Sequence, residues 1–247
     1  MRFLILSDIH ANLTALDAVL GAAEGRYDRA VCLGDLVGYG PDPNEVIDRV
    51  KPLVAAVIRG NHDKAGSGID SAEDFNPVAR RAAEWTQSAL RPENLEYLKN
   101  LPSGPVEVDG LSLFHGAFRD EDEYVFSPAQ ALDGLLGSPS DISFFGHTHF
   151  QGGFSFRQNQ LAVINLRPAA GSNFAALQLE ADSRYLLNPG SVGQPRDGDP
   201  RAAFAVADMD HRVVEFWRVP YDIDAVQMRM LQAGLPEPLI LRLSYGR

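Results

Sequence analysis

The sequence predicts an α/β fold in which a pair of mixed β-sheets is covered by helices. In the first part of the chain, short apolar runs alternate with helical patterns, an order typical of parallel strands joined by helices. From about residue 106 onward, strand-like runs follow one another, and turn residues such as Asp109-Gly110 separate them as antiparallel hairpins require. Together the two patterns favour a mixed pair of sheets over a simple doubly wound sheet.

In the first part, short apolar runs predict buried strands at residues 3–6, 30–33 and 54–58. Apolar residues at helical spacing predict helices at residues 13–20, 44–50, 77–90 and 93–100. Gly21 or Gly25 can end the first helix, and Pro77 suits the first turn of the third.

In the second part, the strand-like runs cover residues 106–108, 111–115, 142–145, 153–156, 161–166, 175–179, 185–187, 202–207 and 213–219. Helical spacing is confined to residues 127–136 and 223–233. No internal repeat, low-complexity segment or linker divides the sequence, so residues 1–247 are predicted to form a single domain.

Composition argues against several classes of partner. The formal net charge is −11, and the basic residues form no run longer than the pair Arg80-Arg81. Binding to a long nucleic acid needs clustered cations, so it is not expected, and an acidic surface is not attracted to anionic membranes. The only cysteine, Cys32, lies in an apolar run and is expected to be buried and inert. Neither a signal peptide nor a membrane span is recognisable, so a cytoplasmic protein is expected.

Five of the six histidines lie in short motifs with glycine, Asp or Asn. The motifs, with one Gly-Asp pair, are Asp8-Ile9-His10, Gly34-Asp35, Gly60-Asn61-His62-Asp63, Phe114-His115-Gly116 and Gly146-His147-Thr148-His149. Imidazole, carboxylate and carboxamide oxygen are ligands suited to Mn, Fe or Zn. Each motif follows an apolar run, and the carboxyl ends of strands in an open α/β sheet form its binding edge. The sequence therefore predicts one metal site at that edge.

Local spacing supports the same site. In an extended segment, residues i and i+2 point the same way, so Asp8 and His10 are expected to face one ion, as are His147 and His149. Glycines in these motifs, such as Gly60 and Gly146, leave room for close approach of the backbone.

The ordered motifs resemble the calcineurin-like metallophosphoesterase superfamily, whose pattern is D-x-H, G-D, G-N-H-[DE], a lone H and G-H-x-H. The sequence matches every block in order, and it is most similar to small bacterial phosphodiesterase-type members. The resemblance implies a four-layer αββα sandwich, with two mixed β-sheets face to face and helices outside. It implies two divalent or trivalent metal ions, for which Mn, Fe, Zn and Ni are candidates.

The resemblance also implies a role for each motif residue. One metal would be held by Asp8, His10, Asp35 and His149. The other would be held by Asp35, Asn61, His115 and His147, with Asp35 bridging. His62 corresponds to the family's proton donor, and Asp63 is a candidate for orienting it.

The implied activity is hydrolysis of a small phosphodiester or nucleotide polyphosphate, through attack by a hydroxide that bridges the two ions. The turn-rich segment 188–197 follows the last histidine block, and its Arg196 either binds substrate phosphate or is an exposed loop residue. Phe75 and Asn76 are candidates for covering the site, whereas Trp85 is expected in the core. Two alternatives stay open: a non-catalytic metal-binding scaffold, and a phosphomonoesterase or protein phosphatase. A homodimer is also left open.

Overall fold

Two six-stranded mixed sheets form the centre of the fold. The structure is a computed structural model that describes residues 1–169 and 171–247. The strands are β1 (Arg2–Leu6), β2 (Arg29–Cys32), β3 (Val54–Val57), β4 (Val106–Val108), β5 (Leu111–Leu113), β6 (Ile142–Phe144), β7 (Gly152–Arg157), β8 (Gln160–Ile164), β9 (Phe174–Gln178), β10 (Arg184–Asn188), β11 (Ala202–Asp208) and β12 (Val213–Val219). The first sheet has the order β3-β2-β1-β11-β12-β9, and the second has the order β4-β5-β6-β10-β7-β8.

Both sheets combine parallel and antiparallel pairs, as the sequence predicted. In the first sheet, β1 is parallel to β2 and antiparallel to β11. In the second sheet, β10 is parallel to β6 and antiparallel to β7. The central parallel strands of each sheet therefore end at one edge, which is where polar loops can meet.

The helices are α1 (Leu13–Ala23), α2 (Pro43–Val50), α3 (Asn61–Ser67), α4 (Pro77–Ala89), α5 (Pro92–Lys99), α6 (Pro128–Gly137), α7 (Ile223–Gln232) and α8 (Glu237–Arg242). A short 3-10 turn, Leu243–Tyr245, follows α8. Five helices have proline in their first turn, where the missing N–H is not needed. None of the helices within the described residues is long and apolar enough to cross a membrane.

Apolar side chains from β1 alternate between two cores. Phe3 and Ile5 pack with Phe144 of the second sheet, in the core between the two sheets. Leu4 and Leu6 pack in the core that the first sheet shares with α1. A strand that is buried on both faces reads as a continuous apolar run, which is why β1 was predictable.

The outer face of the second sheet is covered by α6, whose Ala131 and Leu135 pack with Phe154 of β7. The order of layers is therefore helices, sheet, sheet and helix, which confirms the predicted α/β sandwich. His211, the one histidine outside the five motifs, lies in the hairpin between β11 and β12 and contacts Asp208.

Two helices are missing from the sequence prediction. Helix α3 has the sequence NHDKAGS, which has no apolar periodicity to predict it. Helix α8 is only six residues long, and its central Leu-Ile-Leu run gives no helical spacing. The first of these helices matters because it begins at Asn61, inside a metal-binding motif.

Candidate metal centre

The loops that follow β1, β2, β3, β5 and β6 bring the motif residues together at one edge of the paired sheets. Two groups of side chains have ligand atoms within 4.8 Å of one another. The first group is Asp8, His10, Asp35 and His149, and the second is Asp35, His115 and His147. All of these residues are buried, and Asp35 belongs to both groups. Asn61 lies beside the second group, with its Oδ1 3.2 Å from Nε2 of His115.

Backbone carbonyls fix the orientation of the imidazole rings in the first group. Nδ1 of His10 donates to the carbonyl of Val37 at 3.1 Å, and Nδ1 of His149 donates to the carbonyl of Gln194 at 2.6 Å. A carbonyl only accepts, so the ring proton of each neutral imidazole is on Nδ1. Each Nε2 therefore presents a lone pair to the site, which is the usual arrangement of a metal-binding histidine.

Backbone carbonyls also orient the two rings of the second group, although His147 uses Nε2 where the other rings use Nδ1. Nδ1 of His115 donates to the carbonyl of Leu33 at 2.7 Å, which leaves Nε2 for the site. In His147, Nε2 donates to the carbonyl of Asp122 at 3.1 Å, which leaves Nδ1 for coordination. The donor set fits metal ions because each ring has one nitrogen held by the backbone and the other free.

A bound cation would also stabilise buried ring nitrogens and a carboxylate oxygen that lie close together in this site. Nε2 of His10 lies 3.1 Å from Nε2 of His149, although neither carries a proton when Nδ1 does. Oδ2 of Asp35 is buried, and its polar neighbours are ring nitrogens, Nε2 of His115 at 3.4 Å and Nε2 of His10 at 3.6 Å. One carboxylate oxygen between ring nitrogens of both ligand groups fits a bridging ligand better than a structural role.

Charge in the cluster is consistent with this interpretation. Burial opposes the ionisation of Asp35, but His115 and His62 hold the pKa of its carboxyl well below the usual value. Burial also lowers the pKa of His115, yet the Asp35 carboxylate outweighs it and raises that pKa to about 10. In the metal-free protein, a proton on His115 therefore supplies positive charge next to Asp35.

The backbone is left-handed at most of the proposed ligands, contrary to the extended geometry expected from the sequence. The φ angles are 52° at Asp8, 49° at His10, 53° at Asp35, 64° at His147 and 62° at His149. Non-glycine residues rarely adopt positive φ, and each instance costs about 1–3 kcal/mol. The paired side chains thus converge through tight turns and not through the alternation of a strand.

Two glycines allow the loops to approach closely, as the sequence predicted. A Cβ at Gly60 would overlap Oδ1 of Asp35, and a Cβ at Gly146 would overlap Oγ of Ser7. No larger residue fits at either position without moving a loop that carries proposed ligands.

The segment 188–197 holds the ligand loops in place, a role that the sequence did not reveal. Nδ2 of Asn188 donates to the carbonyl of Gly146, at 2.8 Å, and to Oγ1 of Thr148, at 3.0 Å. Oγ of Ser191 donates to the carbonyl of Asp8 at 2.8 Å. The segment therefore joins the first and last ligand loops.

His62 lies next to the cluster at the start of α3. Its ring lies between two tilted aromatic rings, with centroids 4.2 Å from Tyr39 and 4.7 Å from Phe75. Its Nδ1 finds no partner among residues 1–169 and 171–247. Burial lowers the pKa of His62 to about 4, so the ring is neutral near pH 7. It can donate a hydrogen bond at that pH, and it would carry a transferable proton only when a bound anion raises its pKa.

Asp63 does not orient His62, contrary to the expectation from the sequence. Its Oδ1 accepts from the backbone N–H of Val37 at 3.2 Å, and its Oδ2 accepts from the backbone N–H of Gly60 at 3.0 Å. The carboxylate instead ties the loop after β2 to the first turn of α3, which positions both Asp35 and Asn61.

Arg196 is beside the metal centre. Its Nη2 donates to Oη of Tyr39 at 3.3 Å and to Oε1 of Gln194 at 2.9 Å, while its Nε has no partner within the described residues. Nη1 of Arg242, in α8, donates to the same Oε1 at 3.3 Å. Nε of Arg242 also donates to the main-chain oxygen of Arg247, whereas Arg196 forms no ion pair within the described ranges. The two guanidinium groups meet at Gln194 and form a candidate anion site.

A cavity of about 250 Å³ opens next to His62. It is lined by Phe75, Asn76, Tyr39 and Tyr124, among others, so residues after α3 do cover part of the site. Trp85 packs within the helical cluster around α4 and α7, as the sequence predicted. Tyr39, Tyr124 and Arg242 were not predicted; Tyr39 had a local signal, because it lies between Gly38 and Gly40.

Comparison with known proteins agrees with this architecture. The family model of the calcineurin-like phosphoesterase superfamily domain matches residues 1–212. An uncharacterized protein of Methanocaldococcus jannaschii is 33% identical over 98% of this chain and 97% of its own length. The crystal structure of a metallophosphoesterase from Sphaerobacter thermophilus has a TM-score of 0.84 and 41% identity, covering 100% of this chain and 99% of that one.

A hypothetical protein from Pyrococcus horikoshii shares the fold, with a TM-score of 0.81 and 22% identity over 100% of this chain and 98% of its own. The fold and the buried His/Asp cluster define a metal-binding α/β sandwich. The chain belongs to the calcineurin-like phosphoesterase superfamily.

Proposed function

We propose that this chain is a metal-dependent phosphoesterase that hydrolyses a small phosphodiester or nucleotide polyphosphate. The observation that carries the proposal is the pair of buried ligand groups that share Asp35. One group would hold one ion through Asp8, His10, Asp35 and His149. The other would hold a second ion through Asp35, Asn61, His115 and His147. Two such ions, with Mn, Fe, Zn or Ni as candidates, would withdraw charge from the phosphoryl group and acidify a water molecule.

Arg196 and Arg242 would bind the substrate's phosphate oxygens. Both guanidinium groups contact Gln194, and Nε of Arg242 also donates to the main-chain oxygen of Arg247. Arg196 forms no ion pair among the described residues, so it can donate to an anion without breaking one. Arginine binds phosphate through two parallel N–H donors, and Nε of Arg196 is free to be one of them. This arrangement suits an anionic substrate in a protein whose net charge is otherwise −11.

His62 would donate a hydrogen bond to the leaving oxygen. The neutral ring already has an N–H to donate, and an adjacent phosphate anion would favour the protonated form. Its position between Tyr39 and Phe75 restricts the ring to one plane, which limits how a substrate can approach it.

The size of the site favours a small substrate. The cavity beside His62 has a volume of about 250 Å³, which is near the lower end for small-molecule sites. The acidic surface disfavours long nucleic acids. A non-catalytic scaffold would not need His62 together with a complete set of seven proposed ligands.

Activity after metal removal tests this proposal. Protein stripped with chelator is expected to be inactive on bis(p-nitrophenyl) phosphate and to recover when Mn²⁺ is added back. Assays on diadenosine tetraphosphate and on cyclic nucleotides would then separate the substrate classes. Full activity after thorough chelation, or no activity on any of these esters with Mn²⁺, would contradict the proposal.

A further inference from the structure

A second cavity, with a volume of about 460 Å³, lies beside the metal centre. Thr148, the residue between the proposed ligands His147 and His149, forms part of its wall. Phe126 and Phe150 line it as well. Its volume is within the range of small-molecule sites. The metal chemistry described above makes no use of it.

A row of aromatic rings connects the two cavities. Tyr124 stacks on His147, with centroids 3.9 Å apart, and Phe126 stacks on Tyr124 at 5.3 Å with an interplanar angle of 10°. Phe150 meets Phe126 edge to face at 5.9 Å. Tyr124 lines the cavity beside His62, whereas Phe126 and Phe150 line the second one. The row therefore leads from a proposed metal ligand into the second cavity.

These rings are exposed, which is unusual for large apolar side chains that already contact one another. Phe126 is 58% exposed and Phe150 is 45% exposed. Contiguous exposed aromatic surface beside a cavity commonly marks a binding site. An aromatic face in this position suits a planar ring, because stacking accepts any flat π-system.

The second cavity also has polar atoms that lack a partner. Arg218, only 4% exposed, donates from Nε to Oε1 of Gln151 at 3.1 Å and forms an ion pair with Asp197 through Nη2. Its Nη1 and Oδ1 of Asp197 have no hydrogen-bond partner among the residues described. Both residues line the cavity.

The position of this ion pair is fixed by its neighbour. Nε2 of Gln151 donates to the carbonyls of Pro189, Phe204 and Trp217 at 3.0 to 3.3 Å. The side chain of Gln151 is thereby held by both β11 and β12, and it holds Arg218 in turn. One donor and one acceptor of a single rigid ion pair therefore lie buried in the wall of the cavity without a partner among the residues described.

We propose that the second cavity binds a nucleobase. A base would stack on one of the two rings Phe126 and Phe150, which are 89° apart, and would meet the other edge to face. Its polar edge would pair with Nη1 of Arg218 and Oδ1 of Asp197 in the wall of the cavity. Nucleobases present such neighbouring donors and acceptors, as N6–H₂ and N7 do in adenine. The inference rests on the proposed function for its phosphate end: the substrate is a nucleotide whose phosphate lies at the metal centre and whose base lies in the second cavity.

Binding of adenosine and guanosine to the full-length chain tests the inference without requiring hydrolysis. Isothermal titration should detect binding to the wild-type protein. Phe126→Ala and Phe150→Ala should each weaken it about tenfold or more, because each removes an aromatic contact with the base. Leu231→Ala is the matched control, since Leu231 is 70% exposed on α7 and lines neither cavity. All three substitutions are at exposed positions, so the variants are expected to fold.

Three outcomes would overturn the inference: no nucleoside binding by the wild type, unchanged affinity in Phe126→Ala, or equal affinity for benzyl alcohol, which lacks the polar edge. A parallel assay on methyl p-nitrophenyl phosphate separates this inference from the proposed function. Hydrolysis of that ester without nucleoside binding would remove the base site and leave the phosphoesterase. Nucleoside binding without hydrolysis of any ester would support the base site and contradict the phosphoesterase.

Discussion

Nε2 of His10 lies 3.1 Å from Nε2 of His149, while Nδ1 of each ring donates to a backbone carbonyl. Two unprotonated nitrogens at this distance repel one another unless a cation lies between them or one ring gains a proton. Burial holds the pKa of both rings well below the usual value, so protonation is disfavoured. The fold therefore organises these two rings for a metal ion.

Replacing His62 should separate metal binding from turnover. His62→Gln is expected to keep the metal content and to lose about 10²-fold or more in kcat, because the ring that donates to the leaving oxygen is gone. His211→Gln is the matched control, since His211 lies in an exposed hairpin and contacts Asp208. Unchanged kcat in His62→Gln would remove His62 from the reaction.

Replacing Asp63 should affect stability. Asp63→Ala leaves the buried N–H groups of Val37 and Gly60 without an acceptor, so it is expected to lower the free energy of unfolding by about 1–3 kcal/mol. Asp63→Asn keeps one acceptor oxygen and should lose less. Guanidinium unfolding of the three proteins measures the difference, and equal midpoints for Asp63→Ala and wild type would contradict it.

The free energy of unfolding of the metal-free protein should decrease as the pH falls below about 6.5. Protonation of His62 in the unfolded state should account for part of this decrease. Burial lowers the pKa of His62 to about 4 in the folded state, whereas the unfolded chain has the usual value of about 6.5. Between these values the unfolded state binds the extra proton, so acid favours unfolding. From pH 6 to pH 5, His62→Gln should therefore lose about 1 kcal/mol less than wild type. His211→Gln should behave like wild type, and equal losses in all three would contradict the assignment.

Arg196 should contribute to substrate binding. Arg196→Ala is expected to raise KM for an anionic ester about tenfold or more, because a hydrogen bond to a charged group is lost. Arg196→Lys should recover part of this loss, since it keeps the charge without the two parallel donors. Arg81→Ala, at an exposed position of α4, serves as the control. An unchanged KM in Arg196→Ala would assign Arg196 to a structural role.

The sequence predicted the strands well because a strand that is buried on both faces is a continuous apolar run. Phe3 to Leu6 is a continuous apolar run, and its residues alternate between the two cores. Helix α3 was missed because its residues are polar and serve the site, so no apolar periodicity marks it.

The residues of the site were predictable because they lie in short motifs that directly follow strands. The left-handed backbone at Asp8 and His10 was not, since neighbouring loops impose it and the residue types do not. The prediction that Asp63 orients His62 was wrong, because the partners of Asp63 are backbone N–H groups that carry no sequence signal. Arg242 comes from a helix far along the chain, and only the folded structure brings it to Gln194.

The stoichiometry of bound metal tests the central claim most directly. Protein stripped of metal, reconstituted with Mn²⁺ and desalted should contain two Mn per chain by inductively coupled plasma mass spectrometry. Asp35→Asn alters the one carboxylate that both groups share, so this variant should retain less than one Mn per chain. His211→Gln should have the same Mn content as the wild type. A wild-type protein that binds no metal, or an Asp35→Asn variant that keeps both ions, would contradict the account.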